Sequence, residues 1–301
     1  MDREVIIAGK KLKLTNLEKL MWPRDTINKA GLIKYYADIS DIVLPHLKDR
    51  LFIMSRYPDG IDGKMFYQKE CPGYAPEWVR TFPVKSPDVG KTINYIICND
   101  LPTLLWLANQ ACIELHIWLA KVPETNCPDI MVFDLDPMYP ATFNDTLKVA
   151  LLVKEALEQF GLHGYPKTSG ATGLHVFVPI KPEYTYSEVR AGVEFICRHV
   201  NAVLPEKTTM ERLVVNRNGK VYLDYLQNTQ GKTMTFQYSL RPLPGAPVSA
   251  PLTWDEVRQG VVRPGDFNSF NIIDRISCVG DLYADFLKPG QSLQKLMALV
   301  Q

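Results

Sequence analysis

The sequence predicts an α+β fold, a mainly antiparallel or mixed sheet core flanked by helices. Two pairs of strand-like segments are each joined by a short turn: Gly164 to Thr168 with Leu174 to Ile180, and Lys220 to Leu226 with Lys232 to Tyr238. Such pairs read as antiparallel hairpins. Two long stretches, Thr146 to Phe160 and Tyr186 to Val203, repeat apolar residues at helical spacing. Strands and helices follow one another without strict alternation, which disfavours a doubly wound parallel sheet.

In chain order, Asn28 to Leu44 reads as an amphipathic helix. Leu32, Tyr36, Ile39 and Val43 recur on one face, Asn28 caps the start and Pro45 follows the end. Ser55 to Pro83 is rich in Pro, Gly, Tyr and Phe, an irregular aromatic surface. Leu101 to Gln110 reads as a helix and Cys112 to Trp118 as a strand. The helix from Thr146 is closed by Gly161. Thr253 to Gln259 and Leu282 to Val300 supply two C-terminal helices. No repeat, low-complexity tract or linker divides the chain, which reads as one domain.

Composition sets bounds. The apolar share of 46% and charged share of 22% are those of a soluble globular protein. A net charge of +1 leaves any polyanion-binding patch to be local, and Met1 to Lys34 offers one, with eight bases against four acids. Six scattered cysteines include no C-x-x-C pair, so neither a zinc knuckle nor a disulfide framework is expected. The first residues carry no apolar signal region, and the apolar run from Leu101 to Ala120 is too polar to span a bilayer. A cytoplasmic protein with no membrane partner is expected.

The chemistry concentrates in Met131-Val132-Phe133-Asp134-Leu135-Asp136-Pro137. Alternate residues of a strand share a face, which sets Asp134 and Asp136 side by side, roughly 7 Å apart at the backbone. Such a pair repels unless a cation lies between, and hard oxygen ligands suit Mg²⁺ or Mn²⁺. Asp224, in the apolar run Val221 to Tyr225, is a third carboxylate, completing a set of the kind used in two-metal phosphoryl transfer. A D-x-D alone also occurs in glycosyltransferases and by chance. Ser169-Gly170-Ala171-Thr172-Gly173-Leu174-His175 is either an anion-binding turn with free N–H groups or a plain glycine-rich hairpin with a core histidine. Arg217, Lys220, Lys232 and Arg241 flank Asp224 in sequence and suit a triphosphate or a nucleic-acid backbone. His116 sits in an apolar strand. Phe66 and Tyr67, next to Lys69, suit base stacking or a core.

In this order, these motifs resemble the polymerase domain of bacterial ligase D and its stand-alone archaeal relatives, of the archaeo-eukaryotic primase superfamily. The resemblance runs from Leu14-Thr15-Asn16-Leu17-Glu18-Lys19 through Arg56-Tyr57-Pro58-Asp59-Gly60, Phe66-Tyr67-Gln68-Lys69 and the D-x-D strand. It continues through Ser169 to His175, Leu223 to Asn228, Tyr238 to Arg241 and Pro244 to Val248, to Trp254-Asp255-Glu256. It implies a primase-like catalytic domain over 1–301, with a DNA-end phosphate-binding part at 1–50 and a catalytic core at 110–245. It also implies roles. Asp134, Asp136 and Asp224 would hold two Mn²⁺ or Mg²⁺ ions. Arg56, His116, Ser169, Thr172, His175, Gln227, Lys232 and Arg241 would bind the nucleotide. Asn16, Lys19 and Lys29 would hold a DNA 5′-phosphate, Phe66 and Tyr67 would stack on the template, and Arg217 would place the primer. Many relatives carry a base at the positions of Ser55 and Thr172, so charge near the nucleotide is reduced here.

The activity implied is template-directed nucleotidyl transfer with a preference for ribonucleotides, filling gaps during non-homologous end joining. Its partners would be gapped or 3′-overhanging DNA with a 5′-phosphate, nucleoside triphosphates, Ku and a DNA ligase, in a prokaryotic, nucleoid-associated setting. Two readings compete. A haloacid-dehalogenase-type phosphohydrolase also carries D-x-D, but that motif usually opens its fold and has Thr or Val where Met138 stands. The other is a non-catalytic DNA-end-binding module.

Overall fold

The computed structural model describes residues 2–85 and 90–300. They divide into two compact units, each drawn from three stretches of chain. The first comprises Met1–Val122, Thr233–Val248 and Asn268–Cys278, and the second Pro123–Lys232, Ser249–Phe267 and Val279–Gln301.

The first unit begins with two small hairpins, β1 (Arg3–Ile7) with β2 (Lys10–Leu14) and β3 (Leu20–Trp22) with β4 (Ile27–Asn28). Helices α1 (Lys29–Asp38) and α2 (Ser40–Leu47) follow. Then come β5 (Arg50–Arg56), β6 (Phe66–Gln68), β7 (Thr81–Lys85), β8 (Thr92–Ile97), α3 (Leu101–Asn109) and β9 (Cys112–Lys121). In the second unit lie β10 (Ile130–Pro137), α4 (Phe143–Gln159), β11 (Tyr165–Thr168), β12 (Leu174–Pro179), α5 (Tyr186–Val203), β13 (Thr208–Thr209) and β14 (Val221–Leu223). The chain returns to the first unit for β15 (Met234–Thr235). It ends with α6 (Trp254–Gln259), α7 (Ile272–Val279) and α8 (Gln294–Met297).

The first unit holds a six-stranded sheet in the order β15-β9-β5-β8-β7, with β6 also paired to β5. The second holds a five-stranded sheet, β11-β12-β10-β14-β13, antiparallel except for the parallel β13–β14 pair. The expected mainly antiparallel α+β class is what forms. In the second sheet the period-2 rule decides which residues face the core. Met131, Phe133 and Leu135 of β10, Leu174, Val176 and Val178 of β12, and Val221 and Leu223 of β14 pack against α4 and α5. The intervening residues, including Asp134, Asp136, His175 and Tyr222, take the opposite face.

Helix ends follow the capping rules. Asn28 accepts from the Gly31 N–H, and Thr142 and Thr185 form capping boxes with Asp145 and Glu188 at the starts of α4 and α5. All six cysteines are free thiols. No helix among the described residues is long and apolar enough to cross a membrane.

Several expectations need correction. The helix from Asn28 to Leu44 is two helices, interrupted at Ile39, and Pro45 lies inside α2. The segments Lys220 to Leu226 and Lys232 to Tyr238 do not pair with each other. β14 lies against β10 and β13, and β15 lies against β9. The helix from Leu282 to Val300 is a 3₁₀ turn at Ala284–Leu287 followed by the short α8. Pro289 supplies no N–H for a continuous helix, and a Cβ at Gly290 would lie 2.2 Å from the Ile180 carbonyl. β14 is too short to pair the whole of β10, and a side chain completes the edge. The buried Asn228 amide accepts from the Val132 N–H (2.9 Å) and donates to its carbonyl (2.7 Å).

Asn228→Ala leaves that donor and that acceptor without partners, at about 1–3 kcal/mol each. The expected result is a lower urea midpoint for the second unit. An unchanged midpoint would show that water replaces the amide at no cost.

Candidate active site

Strand register builds the site. Lys167 of β11 lies directly opposite His175 of β12, and His175 lies directly opposite Asp134 of β10. Directly opposed residues of antiparallel strands share a face. The row continues to Asp224, just beyond β14, whose N–H donates to the Asp134 carbonyl (2.9 Å). Four ionisable residues thus form one line across the sheet, and Asp136 stands two residues from Asp134 on the same face.

The carboxylates are crowded. Asp134 is buried, with Oδ1 3.3 Å from His175 Nε2. Asp136 is pushed up to about 7, first by the charge of Asp134 and next by burial, with Asp224 adding to the repulsion and His175 and Arg217 opposing it. An all-oxygen donor set under mutual repulsion is the chemistry that a hard divalent cation relieves, and on this test Asp134 and Asp136 fit one.

Asp224 is not in the apolar strand expected for it. It caps a 3₁₀ turn at Tyr225–Gln227, and its Oδ1 accepts from the Leu226 N–H (3.0 Å) and the Tyr222 hydroxyl (3.2 Å). Among the described residues, no group of three or more His, Cys, Asp or Glu side chains stands ready to hold a metal ion. The third acid adjoins the pair without closing a cage. Arg217 lays its guanidinium 3.7 Å from the Tyr222 ring centroid and donates to the carbonyls of Glu211 and Arg212. Lys220 turns to the Pro205 carbonyl.

The turn from Ser169 to His175 differs from the expected cradle of free N–H groups. Ser169 Oγ accepts from the N–H groups of Ala171 (3.1 Å) and Gly173 (3.0 Å), so both are spent within the turn. Thr172 is exposed at its tip, and Gln227 and Lys232 are half-buried. A Cβ at Gly173 would lie 2.4 Å from the Leu135 carbonyl oxygen and 2.8 Å from Asp136 Oδ1, so only glycine lets the turn approach the acids this closely.

The first unit gathers the remaining candidates into two clusters. Asn16 adopts a φ of 52°, which asparagine tolerates, and its carbonyl accepts from the Lys19 N–H. The Lys19 carbonyl in turn accepts from the Lys29 N–H, which draws the two lysines together. Lys29 is buried and donates to Asn109 O (3.0 Å) and Thr15 Oγ1 (3.2 Å), while Lys19 pairs with Asp59 (2.6 Å). Burial first, and then the charge of Lys19, lower Lys29 to about 8. Arg56 spreads its guanidinium over Gln110, Gln68 and Tyr74.

In the second cluster, Glu114 stands 3.0 Å from Arg241, 3.4 Å from His116 and 3.2 Å from the Tyr57 hydroxyl. Burial works against its charge, but His116, Arg241 and Tyr57 together hold the carboxyl below its ordinary range. Ser55 is buried on β5, in register with Glu114. Phe66 and Tyr67 are about half exposed on β6, which makes them surface aromatics rather than core.

Sequence reading missed Glu114, Asp59 and Lys167. Glu114 and His116 are two apart on one strand, the same spacing that singled out the aspartates. Lys167 was findable from the hairpin, because pairing Thr168 with Leu174 puts it opposite His175.

The Lys29 ammonium is expected to titrate near pH 8, visible in the ¹³Cε shift of that lysine. Because its folded-state value is depressed, stability rises as pH climbs from about 8 toward the ordinary 10.5, and anion attraction weakens over the same range. Titration at the ordinary lysine value would contradict the burial and lysine-pair argument.

Comparison with known proteins is consistent with this geometry. A family model described as LigD, primase-polymerase domain, matches residues 28–283. The bifunctional non-homologous end joining protein LigD of Bacillus subtilis is 38% identical over 282 residues, covering 93% of this chain and 45% of that protein. The multifunctional LigD of Mycolicibacterium smegmatis is 30% identical over 276 residues, covering 91% and 36%. The chain therefore spans less than half the length of these curated relatives. The polymerase domain from Mycobacterium tuberculosis Ligase D, solved in complex with DNA, matches with a TM-score of 0.85 at 28% identity, covering 96% of this chain and 99% of that one. The chain belongs to the LigD primase-polymerase domain family, with an archaeo-eukaryotic primase-like fold, and is a polymerase-type nucleotidyltransferase.

Proposed function

We propose that this chain extends a primer on a DNA template at gaps and broken ends, and that it serves non-homologous end joining. The observation that carries the reading is the crowding of Asp134, Asp136 and Asp224 around one edge of a sheet row, with Asp136 raised to about 7. The family supports it, and so does the DNA bound to the Mycobacterium tuberculosis polymerase domain. The phosphohydrolase alternative has no such support. Its motif belongs at the opening of a fold, whereas here it lies on the tenth strand, between antiparallel β12 and the antiparallel end of β14.

The reaction is attack of a primer 3′-hydroxyl on the α-phosphate of a nucleoside triphosphate, with pyrophosphate leaving. Two divalent cations, Mn²⁺ or Mg²⁺, would be held by Asp134, Asp136 and Asp224, and when bound would supply Lewis-acid stabilisation of the phosphoryl charge. The protein's own part is to set Asp134 beside His175, to bring the Ser169–His175 turn against Asp136, and to keep Arg217 near the acids. Ser169, Thr172, His175, Gln227 and Lys232 of the second unit are the proposed nucleotide contacts. Lys19 and Lys29, with Asn16, form the proposed 5′-phosphate pocket. The half-exposed Phe66 and Tyr67 suit stacking on template bases, and Arg217 suits a primer phosphate. Preference for ribonucleotides and cooperation with Ku and a DNA ligase complete the proposal.

Asp136→Ala and Asp224→Ala should each lower primer extension on a gapped duplex by at least about 10²-fold. Near-normal extension by either variant would remove the carboxylate assignment. Lys29→Glu should weaken binding to a gap bearing a 5′-phosphate and leave binding to the unphosphorylated gap nearly unchanged. Equal loss on both would remove the pocket. DNA-end binding without any incorporation by the unmodified protein would favour the non-catalytic module, and better use of deoxyribonucleotides would remove the sugar preference.

A further inference from the structure

Lys167 has no solvent-exposed surface, yet it is a lysine in the middle of a polar row. Its Nζ lies 2.8 Å from His175 Nδ1 and 2.5 Å from Ser249 Oγ, and 5.0 Å from the Phe177 ring centroid. The His175 ring stacks parallel to the same phenylalanine. Burying an ammonium is costly unless its donors are used and an opposite charge lies near. Here the opposite charge is the acid set, reached through one imidazole.

The direction of these hydrogen bonds follows from the groups themselves. An ammonium only donates, so His175 Nδ1 and Ser249 Oγ must accept from it. Ser249 is then free to donate, and its Oγ does so to the Thr168 carbonyl (2.8 Å). With Nδ1 accepting, the neutral imidazole carries its proton on Nε2, which faces Asp134 Oδ1 at 3.3 Å. The Lys167 end of the row therefore sets the tautomer, and the Asp134 carboxylate lies within ion-pair distance of the ring nitrogen that carries the proton.

We infer that Lys167 is a positioning residue that acts through His175. It fixes the imidazole as the Nε2–H tautomer and thereby orients the Asp134 carboxylate for a divalent cation. Lys167 itself touches neither substrate nor reacting atoms. The tautomer claim stands on the geometry alone, and its consequence for cation binding rests on the carboxylate reading above. Outer partners of this kind typically govern ligand affinity by about 10- to 100-fold.

The test is long-range ¹H–¹⁵N spectroscopy of the histidines at neutral pH, with the His175 signals assigned by loss in His175→Gln. The unmodified protein should show a single proton on Nε2 of His175. Lys167→Met should release that preference and weaken Mn²⁺ binding, measured with the metal alone, by about 10- to 100-fold. Lys167→Gln, whose amide can still donate to Nδ1, should retain the tautomer and recover part of the affinity. A proton on Nδ1, or on both nitrogens, in the unmodified protein would overturn the inference without any variant. So would a folded Lys167→Met that keeps the Nε2–H tautomer and full Mn²⁺ affinity. An unmodified protein that shows the lysine-dependent tautomer but incorporates no nucleotide would end the polymerase reading and leave this one standing. An active polymerase whose His175 ignores Lys167 would do the reverse.

Discussion

Charge compensation along one row of the five-stranded sheet is the constraint on which the site depends. Asp134 cannot lie buried beside Asp136 and Asp224 without a counter-charge, and the row supplies part of it from behind, through His175 and the ammonium of Lys167. The compensation is incomplete, because Asp136 still remains raised to about 7. That residual repulsion is what a cation on this face would relieve. The sheet achieves this with ordinary means. Period-2 alternation sends the apolar residues of β10, β12 and β14 toward α4 and α5 and leaves the opposite face for chemistry.

The first unit applies the same physics with the signs exchanged. Two lysines are drawn together by the backbone hydrogen bond between Lys19 and Lys29, and burial adds to their repulsion until Lys29 sits near 8. A phosphate would relieve that repulsion as a cation would relieve that of the aspartates. Glu114 shows the satisfied case, with Arg241, His116 and Tyr57 around it and its carboxyl held below the ordinary range. Crowded charge left partly unpaid marks the candidate binding positions, whereas the paired Glu114 orients its neighbours.

Much of this was legible in the sequence, and the misses have physical causes. The D-x-D strand, the Ser169 turn and the helices α4 and α5 announce themselves through local periodicity, and local periodicity is what a sequence displays best. The Lys220–Tyr238 segments look paired in the sequence because they are adjacent and strand-like, whereas each joins a different sheet. The tail helix failed because its apolar spacing crosses Pro289 and Gly290. The apolar neighbours of Asp224 mimic a strand, though the backbone has already turned there. Lys167 escaped because a lysine is expected in solvent, and only strand register reveals its partner. The short N-terminal hairpins carry too few residues for a periodic signal.

Asp134, Asp136 and Asp224 are proposed to converge on divalent cations, and anomalous diffraction from crystals soaked in Mn²⁺ would show whether they do. A strong peak contacting both Asp134 and Asp136, with Asp224 beside it, is expected. Manganese bound elsewhere, or a site that leaves Asp136 uncontacted, would refute that convergence.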